Sequence, residues 1–215
     1  MIKKIIFDVD GTLLDTEKDC FDTYNEFFKS KGLENYIDYT LKIYSIIDKF
    51  ESETKTYGKN ELSSFINEYL DIEFTREDFD NIFKIYQQHS TILDEKINDV
   101  LENLSKKYEL VTLSKWYVED QVKRLEKVGL LKYFKEIYGI ENAGLKPDKK
   151  SFIIACGDYK IDECLMVGDS MKSDIGGARQ LGMEAILIDP KGKNKYKNKI
   201  KSVVELESFI KRRNL

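Results

Sequence analysis

The chain opens on a short apolar run. Ile2-Lys3-Lys4-Ile5-Ile6-Phe7 leads straight into Asp8-Val9-Asp10-Gly11-Thr12. An apolar run that stops at turn residues reads as a buried strand ending in a polar loop. From about residue 16 to residue 90 the apolar positions recur at helical spacing instead. Cys20, Tyr24, Phe27 and Phe28 share one face, and Gly32 follows as a stop. Leu41, Tyr44, Ile47 and Phe50 suggest a second helix, and Leu62, Phe65, Ile66, Tyr69 and Leu70 a third. Thr75-Arg76-Glu77-Asp78 resembles a capping box with aspartate in place of the usual glutamate. Phe79, Ile82, Phe83 and Tyr86 continue from it as a fourth helix. The aromatic stripes in this block read as packing faces.

After residue 90 strands and helices alternate. Strands are expected at Glu109–Ser114, Glu136–Ile140, Cys164–Val167 and Ala185–Ile188. Helix faces are expected at Ile97–Leu104, Val118–Leu125, Asp148–Cys156, Asp174–Leu181 and Val203–Lys211. This alternation predicts an α/β fold: right-handed βαβ units building a doubly wound parallel sheet with helices on both faces. The first strand joins that sheet, so the helical block is an insertion. The expected division is a Rossmann-like catalytic core at 1–15 and 91–215 and an all-helical cap at 16–90, with hinges near Asp15 and Thr91.

Composition narrows the class. With 41% hydrophobic and 34% charged residues over 215 positions, the chain fits a globular protein and not a disordered or fibrous one. The net charge of −4 gives no basic excess that would point to nucleic acid. No apolar run approaches the roughly 20 residues of a membrane span. The N-terminal apolar stretch ends in an acidic pair, so it does not read as a signal peptide. Three scattered cysteines (Cys20, Cys156, Cys164) read as reduced thiols, and a cytoplasmic location is expected. With His89 as the single histidine, a His-rich zinc site is excluded.

In such sheets chemistry gathers at the carboxyl ends of the strands. Asp8 and Asp10 end the first strand, and Ser114 ends the second. The stretch after the third leads to Lys146-Pro147. The fourth ends in Gly168-Asp169-Ser170, with Asp174 five residues after Asp169. Several carboxylates converging at one edge repel unless a cation lies between them. Oxygen donors without His or Cys select a hard ion such as magnesium. A calcium loop is excluded, because with Gly11 at its glycine position the loop would begin at Ile6, which cannot ligate. A lysine and a hydroxyl beside such a cluster suit a phosphoryl group.

These four motifs, with a helical insertion straight after the first, resemble the haloacid dehalogenase superfamily over the whole chain. The resemblance implies roles. Asp8 would be the nucleophile that forms an aspartyl-phosphate. Asp10 would protonate the leaving group and then activate water. Ser114 and Lys146 would hold the phosphoryl group. Asp8, Asp169 and the main-chain carbonyl of Asp10 would bind Mg2+, with Asp174 supporting the site directly, through water or by orienting Lys146. No organic cofactor is implied. Dehalogenases and phosphonate-cleaving members lack the second aspartate, so Asp10 favours phosphoryl transfer. The implied activity is a magnesium-dependent phosphatase acting on a small phosphorylated metabolite: a nucleoside monophosphate first, then phosphoglycolate or a sugar phosphate. A phosphosugar mutase of the same family is the alternative. Members related to β-phosphoglucomutase carry a cap histidine where Cys20 stands, and their cap signature is missing here. A non-catalytic regulator is disfavoured, because Asp8, Asp10, Ser114, Lys146 and Asp169 are all present. Many relatives follow the motif-two hydroxyl with asparagine, whereas this chain has Lys115-Trp116. That pair is either a solvent-facing lysine and a packed indole, or the border of the substrate pocket. A monomer is the expected state.

Overall fold

The computed structural model describes residues 1–53 and 58–213. The chain divides into two compact units, one of Met1–Thr16 with Thr91–Leu215 and one of Glu17–Ser90.

The first unit is built on six parallel strands: β1 (Lys4–Phe7), β2 (Glu109–Leu113), β3 (Glu136–Tyr138), β4 (Cys164–Gly168), β5 (Glu184–Ile188) and β6 (Lys199–Ile200). Their order is β3-β2-β1-β4-β5-β6. The chain winds outward from β1 through β2 to β3, then returns to lay β4 on the other side of β1. The strand order therefore reverses at β1 and β4, where open α/β sheets leave a crevice beyond the strand ends. In register, Phe7 stands beside Thr112 on one side and Val167 on the other.

Side chains alternate across the sheet as strand geometry requires. Ile5, Phe7, Leu110, Leu165, Val167 and Ile186 pack on one face with the helices at Ile97–Ser105, Val118–Lys127 and Leu206–Arg213. Ile6, Val111, Leu113, Met166 and Leu187 pack on the other with the helices at Lys149–Cys156 and Gly176–Arg179. Both faces are covered, as a parallel sheet demands.

The sequence reading misses some detail in this unit. The sixth strand is only Lys199 and Ile200, too short to leave a pattern. The expected strand Glu136–Ile140 ends at Tyr138, and Ile140 begins a one-turn helix, Ile140–Ala143. The helix expected from Asp174 begins earlier, as a π turn at Met171–Ile175 that continues into Gly176–Arg179.

The second unit is helical among its described residues. Thr16–Ser30 crosses into it from the first unit, and Tyr36–Glu53, Lys59–Tyr69 and Arg76–Gln88 follow. Its centre is aromatic. Phe74 lies 5.3 Å from Phe27, 5.9 Å from Phe28 and 5.5 Å from Phe79, ring centre to ring centre. Phe74 sits between helices, pinned at both backbone polar groups by the Asn67 side chain at 2.7 and 2.8 Å. The helix at Tyr36–Glu53 buries Phe50 as its spacing suggests, but the rest of its inward face is shifted, with Tyr44 and Ile47 only half-buried. Leu41 is 57% exposed, whereas Ile43, Ile46 and Phe50 are buried.

The capping box at Thr75 forms in both directions. Thr75 Oγ1 accepts from the Asp78 N–H at 3.1 Å, and Asp78 Oδ2 accepts from the Thr75 N–H at 3.0 Å. Burial would raise the Asp78 carboxyl, but Lys31 at 2.5 Å and the cap bonds outweigh it and hold it below its usual range. Thr75→Ala is expected to cost about 0.5–2 kcal/mol in urea unfolding. Because the folded state favours ionised Asp78, its own contribution is complete above about pH 4 and fades as pH falls through the lowered value. A Thr75→Ala loss below about 0.3 kcal/mol would show the cap to be idle.

Candidate active site

Every candidate catalytic and metal-binding residue lies in the first unit. Asp8 follows the last residue of β1, and its N–H bonds to the Val167 carbonyl at 2.8 Å, extending the ladder with β4 by one step. Gly11 then turns the chain with φ +76°, and a Cβ there would stand 2.5 Å from Asp169 Oδ2. Only glycine suits both the conformation and the approach. A Cβ on Gly168, at the end of β4, would lie 2.3 Å from Asp174 Oδ2. The Asp174 carboxylate thus occupies the room left by a missing side chain.

Two groups of polar side chains form. In the first, Lys146 Nζ donates to Asp8 Oδ1 at 2.5 Å and to Asp174 Oδ1 at 2.6 Å. All three side chains are buried. Asp174 Oδ2 also accepts from the Ser170 N–H at 2.9 Å, across the π turn. One oxygen each of Asp8, Asp169 and Asp174 can be chosen so that all lie within 4.8 Å of one another. Burial pushes the Asp8 carboxyl well above its usual range; Lys146 opposes this, and Asp174, Asp169 and Asp10 add to it. Asp169 is more exposed, yet enclosure by its neighbours and the charge on Asp174 push it up to about 6. Lys146 is affected in the opposite sense: burial would lower it, but Asp174 and Asp8 hold it firmly protonated. Three carboxylates crowded around one ammonium leave negative charge to spare. An all-oxygen donor set with that excess fits a hard divalent cation.

The second group surrounds Asp10, whose carboxylate turns away from the first. Thr16 Oγ1 and an Arg124 Nη donate to its Oδ1 at 2.7 and 2.6 Å. Ser114 Oγ and Gln121 Nε2 donate to its Oδ2 at 3.1 and 2.6 Å. Burial would raise this carboxyl, but the Arg124 charge and hydrogen bond, with those of Thr16 and Gln121, hold it below its usual range. Ser114 Oγ also accepts from Gln121 at 2.8 Å and from the Trp116 N–H at 3.1 Å. The Trp116 ring lies edge-on to Tyr117 at 5.2 Å, and both Lys115 and Trp116 are half-buried.

The sheet edge therefore brings together Asp8, Lys146, Asp169 and Asp174, and separately Asp10 with Ser114. Sequence reasoning overlooks Thr16, Gln121 and Arg124. On the helix Val118–Lys127, Val118, Val122 and Leu125 offer an ordinary apolar face. The structure packs that face on the core and also buries Asp120, Gln121 and Arg124. The spacing of three between Gln121 and Arg124 is the one sequence hint, and by itself it carries no chemistry.

The sequence profile of the haloacid dehalogenase-like hydrolases matches residues 5–188. The chain belongs to this family. Among its relatives, the pyrimidine 5'-nucleotidase PynA of Streptococcus pneumoniae is 26% identical over 202 residues, covering 87% of this chain and 84% of its own. A phosphorylated carbohydrates phosphatase of Thermotoga maritima is 24% identical over 194 residues, covering 86% and 84%. The crystal structure of the HAD-hydrolase YfnB from Bacillus subtilis, bound to magnesium, matches with a TM-score of 0.78 over 97% of this chain and 98% of that one. At 22% identity that likeness concerns the fold. In this haloacid dehalogenase-like hydrolase no helix among the described residues is long and apolar enough to cross a membrane.

Proposed function

We propose that this hydrolase is a magnesium-dependent phosphomonoesterase that works through a phosphoryl group carried on Asp8. The observation that carries the reading is the contrast between two carboxylates at one strand end. Asp8 stands in a charge-rich group with Lys146, Asp169 and Asp174, and Asp10 stands apart among hydrogen-bond donors. Lys146 on one oxygen, with a cation among the three carboxylates, would hold Asp8 ionised as the attacking oxygen, and Asp10, beside the replaceable Ser114 hydroxyl, is placed to take up and pass a proton.

As the ester binds and Ser114 turns to it, Asp10 takes up a proton from the monoanionic ester or from solvent. Asp8 then attacks phosphorus in line with the leaving oxygen, and Asp10 passes that oxygen its proton as the P–O bond breaks. Asp10 then takes a proton from water as the water oxygen bonds to phosphorus and Asp8 is released. Lys146 holds one Asp8 oxygen in place and offers positive charge to the transferring group. Ser114 holds a phosphoryl oxygen once its hydroxyl turns from Asp10. Asp8, Asp169 and the main-chain carbonyl of Asp10, with Asp174, would hold magnesium, which when bound supplies neutralising charge to phosphoryl oxygens.

For the leaving group we favour a nucleoside monophosphate, ahead of phosphoglycolate and sugar phosphates. The support is the relative named a pyrimidine 5'-nucleotidase, aligned over most of both chains. The relative named a phosphorylated carbohydrates phosphatase keeps sugar phosphates in view. The test is phosphate release from a panel of these compounds with magnesium. Release is expected to stop on chelation and return with added magnesium. Release indifferent to chelation would sink the metal assignment. An isomeric sugar phosphate in place of free phosphate would show a mutase instead.

A further inference from the structure

We propose that Arg124 and Gln121 are positioning residues for the acid–base carboxylate. They anchor Asp10 so that one lone pair of its Oδ2 opens for proton transfer when Ser114 turns to a phosphoryl group. This rests on the reading of Asp10 given above.

The argument starts from burial. Arg124 is 0% exposed and is the largest fully buried side chain of the described residues. A guanidinium out of water is costly unless a carboxylate and further acceptors meet it. Its Nη1 meets Asp10 Oδ1 at 2.6 Å and Gln121 Oε1 at 3.1 Å, and its Nη2 meets Thr16 Oγ1 at 3.3 Å. Gln121, one helical turn earlier on the same face, spends its amide N–H groups on Asp10 Oδ2 and Ser114 Oγ. The two residues thus brace each other and grip opposite oxygens of one carboxylate.

Four donors fill the roughly four lone-pair positions of a carboxylate. Among them, Ser114 is the replaceable one. Its hydroxyl carries a single proton, which points to Asp10 Oδ2 or to a bound phosphoryl oxygen, not to both. Its bond to Asp10 is also the longest of the four, at 3.1 Å. When Ser114 turns to the phosphoryl group, Oδ2 loses a donor, while Arg124 and Thr16 keep Oδ1 fixed. The carboxylate is then held at Oδ1 by two donors and at Oδ2 by Gln121 alone, which leaves one lone pair of Oδ2 open to a proton. The lone pair that Ser114 gives up on Oδ2 takes a proton from the monoanionic ester or from solvent as the ester binds. That proton leaves for the leaving oxygen in the first step and is replaced from water in the second, so the cycle closes.

The test compares an alkyl phosphate with p-nitrophenyl phosphate, whose leaving group needs little protonation. Arg124→Met is expected to lower kcat on the alkyl ester at least about tenfold more than on the aryl ester, with little change in KM. Arg124→Lys should recover part of that loss. In an Asp10→Asn background, Arg124→Met should cost less than about twofold further, because what it positions is already gone. Should Arg124→Met not fold, Gln121→Met is read by the same criteria. Equal losses on both esters, or full additivity with Asp10→Asn, would overturn the proposal, since a merely structural residue behaves so. Were Asp10→Asn itself blind to the leaving group, the acid–base reading of Asp10 would fall and take the proposal with it.

Discussion

Asp8→Asn is expected to abolish turnover, by roughly 10⁴–10⁶-fold, the scale seen when an enzyme loses its nucleophile. Asparagine keeps the size and planarity of the side chain but offers an amide in place of a carboxylate oxygen. The fold should survive. Asp8 is one of three mutually repelling carboxylates, and Lys146 keeps its 2.6 Å bond to Asp174. The direct readout is covalent. Wild-type protein quenched in acid during turnover of a phosphorus-labelled ester should carry label that hydroxylamine removes, as acyl phosphates do. Asp8→Asn protein should carry none. Activity retained in Asp8→Asn, once mass spectrometry has excluded deamidation, would show that Asp8 is not the nucleophile.

What could be read ahead of the structure follows from where each signal resides. The parallel sheet was legible because fully buried strands are short apolar runs, and Ile5-Ile6-Phe7 and Cys164–Val167 are of that kind. Asp8, Asp10, Ser114 and Asp169 were legible as candidates because each falls at or just past a strand end, and Lys146 and Asp174 because they follow on the connections leaving β3 and β4; the sheet gathers those ends at one edge. The capping box at Thr75 is local, so four consecutive residues state it. Other features were not legible because they depend on tertiary partners. Leu41 and Ile43 are equally apolar, and only neighbouring helices decide which of them is buried. Likewise, Arg124 on a helix full of charged residues looks solvated until Asp10, 114 positions earlier, is found against it. The π turn at Met171–Ile175 widens one turn of helix just where Asp174 bonds back to Ser170. Such turns are frequent at functional sites and leave no periodicity to read.

Lys146→Met is expected to have the largest effect on stability. Methionine reaches as far as the lysine Cε and packs in the place of its stem, so the change removes the ammonium with its hydrogen bonds and leaves little cavity. Lys146 is the ammonium between Asp8 and Asp174, at 2.5 and 2.6 Å, and all three side chains are buried. Removing one member of a buried ion set strands the others, at a cost of about 3–5 kcal/mol. At about 2–4 °C per kcal/mol for a domain of this size, Tm without added metal should fall by about 6–20 °C. Turnover should fall as well, by at least about 10²-fold, since positive charge is lost beside the transferring group. Two cations would share the compensation of these carboxylates, so they should substitute for one another in part. Magnesium is therefore expected to raise the Tm of Lys146→Met by more degrees than it raises that of the wild type. The comparison is calorimetric, each protein scanned with chelator and with magnesium. An unchanged Tm in Lys146→Met would mean that Asp8, Asp174 and Lys146 do not form a closed charge set. A fallen Tm that magnesium raises no further than in the wild type would mean that the three carboxylates are not where the metal binds.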